Sequence, residues 1–361
     1  MLYGRSDIAF GPYSDYWRQM KKIVTVELLS AKKVRSFSAF REQEVNHFID
    51  YIKSTCGKPV IIREKVTEMI NNIVCKSSFG GNCKQQDLLF ELLDDLGRLV
   101  SGFYVADMFP EFGFLSVVSG MRSKLRKIHK SLDKIFEEIF EERRVKRERS
   151  GESEDDLLDV LFTIKERGGL QFPITDDNIK AVFVNMFVGG TDTSVYNNRM
   201  GNDRNDEKPK RDGEGTKRKT LRLHPPLPLL LPRECREQCQ IYGYDIPLKT
   251  KVIVNAFACA VDPDYWHDPE CFKPERFYQS TVDFMGTNFE FVPFGSGRRM
   301  CPGINFGVTS IEFALAQMLY YFNWQLPSEL TPKDIDMTED DGLLAVKKVP
   351  LAVTPTLHSS L

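Results

Sequence analysis

The chain has 361 residues, 42% hydrophobic and 28% charged, with a formal net charge of -2. That is an ordinary globular composition, long enough for one large α-rich domain or two average ones, and it lacks the basic excess of a nucleic-acid or polyanion binder. Eight cysteines without a C-x-x-C pair, and five histidines without an H-E-x-x-H pair, argue against a zinc site and a disulfide scaffold and fit a reducing compartment. No run approaches the ~18 apolar residues of a membrane-spanning helix, and no charged leader precedes an apolar stretch, so the chain as written is expected to carry neither anchor nor signal peptide.

The first informative block is Asp7-Ile8-Ala9-Phe10-Gly11-Pro12-Tyr13, followed by Trp17-Arg18-Gln19-Met20-Lys21-Lys22-Ile23. Trp17 and Lys21 stand four apart, so on a helix they share a face and can address one anionic group. Residues 36–82 are helical in pattern with a break at Lys58-Pro59-Val60-Ile61-Ile62, and residues 87–100 make another helix. An aromatic-rich loop at 102–114 carries Phe103, Phe109 and Phe112. Met121, Leu125, Ile128, Leu132, Ile135, Phe136, Ile139 and Phe140 recur at helical spacing and predict one long amphipathic helix. The charge run at 141–149 and the polar stretch after it read as a solvated loop. A short helix at 157–164 follows, closed by Gly168-Gly169. Thr175 with the first-turn acids Asp176 and Asp177 then caps a segment, Ala181-Val182-Phe183-Val184-Asn185-Met186-Phe187-Val188, apolar enough to be buried on most sides. Gly189-Gly190-Thr191-Asp192-Thr193-Ser194 comes next. Two glycines inside a buried helix cost about 1 kcal/mol each relative to alanine, so this stretch is either a plain helix C-cap or a groove kept open for a ligand.

Residues 195–219 contain almost no apolar side chain and read as a disordered linker. Beyond it come Lys219-Thr220-Leu221-Arg222-Leu223-His224-Pro225-Pro226, an apolar stretch at 227–231, and a hairpin read from Ile241-Tyr242-Gly243-Tyr244-Asp245-Ile246-Pro247 with Val252-Ile253-Val254. A Pro-rich meander ends in Pro274-Glu275-Arg276-Phe277, and the tail at 334–356 reads as strands. Between them lies Phe294-Gly295-Ser296-Gly297-Arg298-Arg299-Met300-Cys301-Pro302-Gly303, after a strand-like run (Phe289, Phe291, Val292) and before a long apolar helical pattern. A cysteine at a helix N-terminus beside Arg298 and Arg299 is expected to have its thiolate favoured, as a metal-ligating sulfur requires.

The pattern Phe-x-x-Gly-x-Arg-x-Cys-x-Gly in this loop resembles the cysteine-ligand loop of the haem-thiolate monooxygenases, the cytochrome P-450 family. The resemblance implies a mainly α fold with a small β part, formed by residues 1–361 as a single catalytic-domain fragment, with haem b as cofactor. It makes Cys301 the axial iron ligand and Gly297 the turn residue, with Phe294 shielding the sulfur and Arg299 pairing a haem propionate. Trp17 and Lys21 resemble the family's propionate-binding helix, and Arg233 corresponds to another propionate ligand. Gly189-Gly190 resemble the oxygen-binding helix: Gly190 and its neighbour make room for O2, while Asp192 and Thr193 relay protons. The aromatic loop and residues 342–346 are implied substrate contacts.

The reaction implied is insertion of one oxygen atom from O2 into a small apolar substrate such as a plant terpenoid, with NADPH electrons delivered by a separate reductase at the endoplasmic reticulum membrane. By the same resemblance the chain starts late, without the family's anchor and first helices, and residues 195–219 stand in for a missing stretch. Shifted by one base, codons for 195–215 permit a family-like helix, and Met200-Gly201 then necessarily reads as Trp. By the resemblance a Glu is expected where Lys219 stands, pairing Arg222 and Arg276; three cations therefore replace one anion and two cations, and a chain unable to hold haem is the competing expectation.

Overall fold

The computed structural model describes residues 2–101, 120–150, 155–199, 218, 220–271, 273–278, 280–327, 329–331, 334–339 and 343–358. Ser14 caps the first helix, α1 (Asp15–Ile23), by accepting the Trp17 N–H at 3.1 Å. A π-type turn at Val24–Leu28 leads into α2 (Ala31–Ser36) and α3 (Ser38–Ser54). The predicted break at 58–62 holds a two-residue strand, β1 (Val60–Ile61), before α4 (Ile62–Phe79) and α5 (Gln86–Ser101).

The next helix, α6 (Met121–Ser150), corrects the sequence reading, because it runs straight through the charge run expected to be a loop. The reason lies in the helices that follow, α7 (Leu157–Arg167) and α8 (Asp176–Arg199). Arg143 is buried, with Nη1 2.5 Å from Asp156 and 3.1 Å from Asp159, and Nη2 donates to the Phe79 carbonyl at 2.7 Å. Arg144 pairs with Asp176 and Arg147 with Glu166. Three of the arginines that looked solvated thus form a helix face docked on acids, while Glu141, Glu142, Lys146, Glu148 and Arg149 remain exposed.

Thr175 and Asn178 cap α8 reciprocally: Thr175 N–H donates to Asn178 Oδ1 at 2.9 Å and Asn178 N–H to Thr175 Oγ1 at 3.3 Å. Inside α8, Phe183 is wholly buried, its ring 5.0 Å from Phe79 and 6.4 Å from Phe136, Phe140 and Phe187. Burying such a side chain stabilises by about 1.5–3 kcal/mol, so this aromatic cluster anchors α4, α6 and α8 to one another. The helix continues through Gly189-Gly190 to Arg199, which removes the C-cap reading and carries helix into the first residues of the stretch read as linker. Residues 200–217 and Lys219 lie outside the described residues, as does the aromatic loop with Phe103, Phe109 and Phe112.

The C-terminal part has short strands. β2 (Arg233–Glu234) pairs antiparallel with β5 (Lys251–Val252), and β3 (Cys239–Ile241) with β4 (Tyr244–Ile246). Val252 therefore faces Arg233 rather than joining the 241–247 hairpin, contrary to the sequence reading. Tyr242 (φ 51°) and Gly243 (φ 83°) both adopt left-handed backbone and close the tight hairpin of β3 and β4, while the backbone of Val252 is taken by Arg233. After α9 (Ala256–Ala260), the run at 289–292 forms no strand; Phe291 is fully buried against Trp266, Phe277 and Phe284, while Phe289 is 70% exposed. The long helix α10 (Ile304–Tyr321) leads into β6 (Phe322–Gln325), and in the tail β7 (Ala352–Leu357) lies between β6 and β1. The only other described pairing at 334–356 is an isolated bridge, Glu339 to Lys347. The architecture is mainly α with a small β part. No helix among the described residues is long and apolar enough to cross a membrane.

Candidate functional site

The loop at 294–303 folds on itself. The Cys301 N–H donates to the Phe294 carbonyl at 3.0 Å, Met300 N–H to Gly297 at 3.1 Å and Gly295 N–H to Val292 at 2.9 Å. Gly295 (φ 71°) and Gly297 (φ 70°) supply the left-handed residues that this turn requires. The loop rests on a residue that sequence reasoning missed, Gly286, where a Cβ would come within 3.1 Å of the Gly295 carbonyl and 3.2 Å of Met300 Sδ. Ser296 Oγ donates to the Gly286 carbonyl at 2.6 Å, and the Phe294 ring packs on Phe284.

Cys301 is solvent-accessible, yet protein packed around it pushes its thiol pKa up. An exposed cysteine whose sulfur is closely surrounded by protein stands in a recess. The Gly303 N–H, hydrogen-bonded to the sulfur, and the Lys21 charge pull the pKa back down without overcoming burial. This corrects the expectation that the helix terminus and adjacent arginines would favour thiolate: desolvation outweighs them, and Arg298 instead lies over the Tyr13 ring, 5.6 Å from its centroid.

Cations converge around this recess. Burial brings Lys21 down to about 8, the Cys301 sulfur partly offsets this, and Arg233 and Arg299 push it further down. Arg233 is lowered by burial and by Arg299; Arg299 is lowered by burial and by Arg236, with Asp7 in partial opposition. None of the three makes an ion pair with a carboxylate among the described residues. Lys21 Nζ donates to the Met300 carbonyl at 2.5 Å, and Arg299 donates to the carbonyls of Gly11 at 2.6 Å and Ala9 at 3.4 Å.

The N-terminal turn that receives Arg299 is pinned by Asn185 of α8, whose Oδ1 accepts the N–H groups of Ile8 at 2.9 Å and Ala9 at 3.2 Å. Asn185 and Gly11, where a Cβ would lie 2.2 Å from the Asp7 carbonyl, were not singled out from the sequence. Trp17 contributes its ring and not its N–H: Nε1 donates to the Ile8 carbonyl at 3.0 Å, and Arg299 lies over the indole at 4.5 Å.

Of the two glycines in α8, Gly189 faces open space, whereas a Cβ on Gly190 would touch Val74 of α4 at 3.5 Å. Next to them Thr191 Oγ1 is buried with no hydrogen-bond partner. Asp192 and Thr193 are in α8, but their side chains lie outside the described residues. In the implied pocket loop, Ala345 N–H donates to the Pro226 carbonyl at 3.1 Å, joining the tail to the segment before Arg233.

The cytochrome P-450 family model matches residues 2–197 and 218–354. A protein described as cytochrome P-450 Tp9025, from Tanacetum parthenium, is 55% identical over 386 aligned positions that cover 99% of this chain and 78% of that protein. Costunolide synthase from Cichorium intybus is 43% identical, covering 100% of this chain and 78% of its own. Premnaspirodiene oxygenase from Hyoscyamus muticus is 44% identical, covering 99% and 77%. Among solved structures, a zebra fish cytochrome P-450 with abiraterone superposes at a TM-score of 0.74 with 20% identity, over 98% of this chain and 84% of that one, which shows the shared fold. The chain belongs to the cytochrome P-450 family of haem-thiolate monooxygenases. The first of these alignments has 386 positions against 361 residues, so that relative carries internal residues that this chain lacks, and the family match is interrupted at 198–217.

The donor set fits the family's cofactor. Cys301 offers a single soft donor, which suits a metal that brings its other ligands with it, as a porphyrin's iron does. Three desolvated cations without carboxylates suit a ligand that carries two carboxylates of its own.

Proposed function

We infer that this chain is a single catalytic-domain fragment that holds haem b through the Cys301 thiolate and oxygenates a small apolar substrate of the terpenoid class. The observation that carries the reading is the convergence on the Cys301 loop of Lys21, which donates to the Met300 carbonyl, Arg233, whose guanidinium reaches Gly295, and Arg299, none of them ion-paired with a carboxylate among the described residues. Costunolide and premnaspirodiene, the compounds in two relatives' names, are terpenoids, which supports the substrate class. When bound, haem supplies the activation of O2, with electrons from NADPH through a flavoprotein reductase on the cytosolic face of the endoplasmic reticulum.

The chain's own residues do the rest. Gly303 N–H and Lys21 stabilise the sulfur's negative charge, Lys21, Arg233 and Arg299 receive the propionates, and Trp17 holds Arg299 from beneath. Phe294 and Gly297 shape the loop, Gly189 and Gly190 keep the helix surface low, and Asp192 with Thr193 hands protons inward. The test is a reduced-CO difference spectrum of the expressed chain after haem reconstitution, expected to show a thiolate-type Soret band.

A second reading, a product that does not retain haem, is favoured by one specific feature. Arg222 is wholly buried and lowered to about 10 by burial and by the Arg276 charge; its guanidinium reaches only the carbonyls of Ala260 and Pro269 and the face of Trp266. No ion pair among the described residues gives it or Arg276 an anion. With Lys219 at the position expected to supply one, and residues 198–217 unmatched by the family model, failure of the chain to take up haem would establish this reading.

A further inference from the structure

The strand that presents Arg233 continues into two thiols already in contact. Cys235 Sγ and Cys239 Sγ are 3.8 Å apart, with Cys239 exposed and Cys235 half-buried. Each is held from the backbone by a different ladder. Cys235 extends the pairing of β2 with β5, its N–H donating to the Thr250 carbonyl and its carbonyl accepting the Lys249 N–H, both at 2.8 Å. Cys239 opens β3 opposite Ile246. Between them Arg236-Glu237-Gln238 forms a short loop, and the Cys235 thiol donates to the Glu237 carbonyl at 2.8 Å.

A disulfide needs the sulfurs to close to about 2.05 Å, which side-chain rotation supplies when they already touch and one of them is exposed. In a reducing compartment such a pair serves as a transient, redox-responsive bond rather than a structural one. We propose that Cys235 and Cys239 are a reversible dithiol–disulfide site that exchanges with a small-molecule disulfide such as oxidised glutathione.

The exposed Cys239 thiolate attacks one sulfur of glutathione disulfide, breaking that S–S bond, forming a mixed disulfide and expelling one glutathione thiolate. The Cys235 thiolate then attacks Cys239 Sγ, forming the internal bond and expelling the second glutathione. The protons lost by the two protein thiols are taken up by the two glutathione thiolates, and the protein pair is oxidised by two electrons as glutathione disulfide is reduced. The Cys235 sulfur pushes the Cys239 pKa up, which slows the exchange by lowering the thiolate fraction.

The loop closed by this bond reaches the recess. Arg236 lies over the Tyr13 ring at 4.6 Å, Tyr13 packs on Trp17 at 5.3 Å, and Trp17 carries Arg299. Oxidation therefore fixes the outermost cation of the recess in place.

The test uses the full chain, equilibrated in glutathione buffers from reducing to oxidising, quenched with an alkylating agent and mapped by peptide mass spectrometry; it needs no haem. The expected result is loss of alkylation at both Cys235 and Cys239 together, with loss of two hydrogens on the peptide joining them, reversed by excess reduced glutathione. Cys235→Ser should convert Cys239 into a stable mixed disulfide with glutathione, and Cys239→Ser should leave Cys235 alkylatable. The proposal is overturned if both thiols stay alkylatable under oxidising conditions, or if each carries its own glutathione in the unsubstituted chain.

Discussion

Buried cations in the helical half and around the recess live under opposite rules. Arg143 sits against Asp156 and Asp159, Lys180 against Asp133 and Glu137, and Lys76 against the buried Glu44. Around the recess and the meander, Lys21, Arg233, Arg299, Arg222 and Arg276 meet carbonyls, aromatic faces and one another. Arg41, which joins α3 to α10 through Ser310 Oγ and the Val34 carbonyl, is a buried cation of the helical half built in the second manner. Burying a charge without a counter-charge is costly, so a chain that balances one half and leaves the other positive has built the second for an anion that is not part of these side chains. On the proposed reading the recess is left for the cofactor's pair of carboxylates, and Arg222 and Arg276 for an acidic side chain at position 219, where the sequence has lysine.

The contrast can be broken experimentally. The largest effect is expected for Cys301→Ser, which should abolish the thiolate-type reduced-CO band while leaving the far-UV circular dichroism unchanged. Next, Arg143→Ala should cost about 3–5 kcal/mol in chemical unfolding, because it removes the guanidinium from buried Asp156 and leaves Asp159 with the more distant Arg147. Lys219→Glu should do the reverse, raising stability by about 3 kcal/mol as it supplies the missing anion; an unchanged midpoint would show that Arg222 is already satisfied by its carbonyls. Arg299→Ala should weaken haem retention about tenfold, or about 1.4 kcal/mol, in transfer to apomyoglobin, and Trp17→Phe, which keeps the ring, should weaken it much less.

The smallest effect concerns pH. Burial, only partly offset by Arg143, pushes the Asp156 carboxyl up to about 6. A carboxyl with a raised folded pKa binds its proton more tightly in the native state, so its contribution to stability grows as pH falls through 6 and is absent above it. Lowering pH from 7 to 5 should add about 1 kcal/mol through this group, and Asp156→Asn should flatten that dependence.

Much of the fold could be read in the sequence where one segment carried its own signal. The 3.6-residue periods of α5, α6 and α8, the Thr175 cap and the Gly-rich cysteine loop all depend on neighbours within a few positions. What escaped was set by distant partners. The charge run at 141–149 gives no local hint that Asp156 and Asp159 await Arg143, and β1 is invisible because its ladder partner is Val353 and Ala352. In the site, Cys301 and the face shared by Trp17 and Lys21 were legible from motif and spacing. Asn185, Gly11 and Gly286 were not, since each acts by fitting backbone that comes from elsewhere in the chain. The sign of the Cys301 shift was misread for a related reason: sequence shows nearby charges and a helix end, but not how much protein surrounds a sulfur.

The cysteine loop is shaped by backbone hydrogen bonds among its own residues and to Val292, and is held by Ser296 on Gly286, Lys21 on Met300 and Arg299 on Ala9 and Gly11. Its order is thus a property of the polypeptide, and the amide hydrogens of Gly295, Met300 and Cys301 should exchange with solvent slowly whether or not a cofactor is present. A prosthetic group arriving at such a loop finds its ligand already in place, so uptake and loss need only local opening of the recess and not refolding of the chain around the iron.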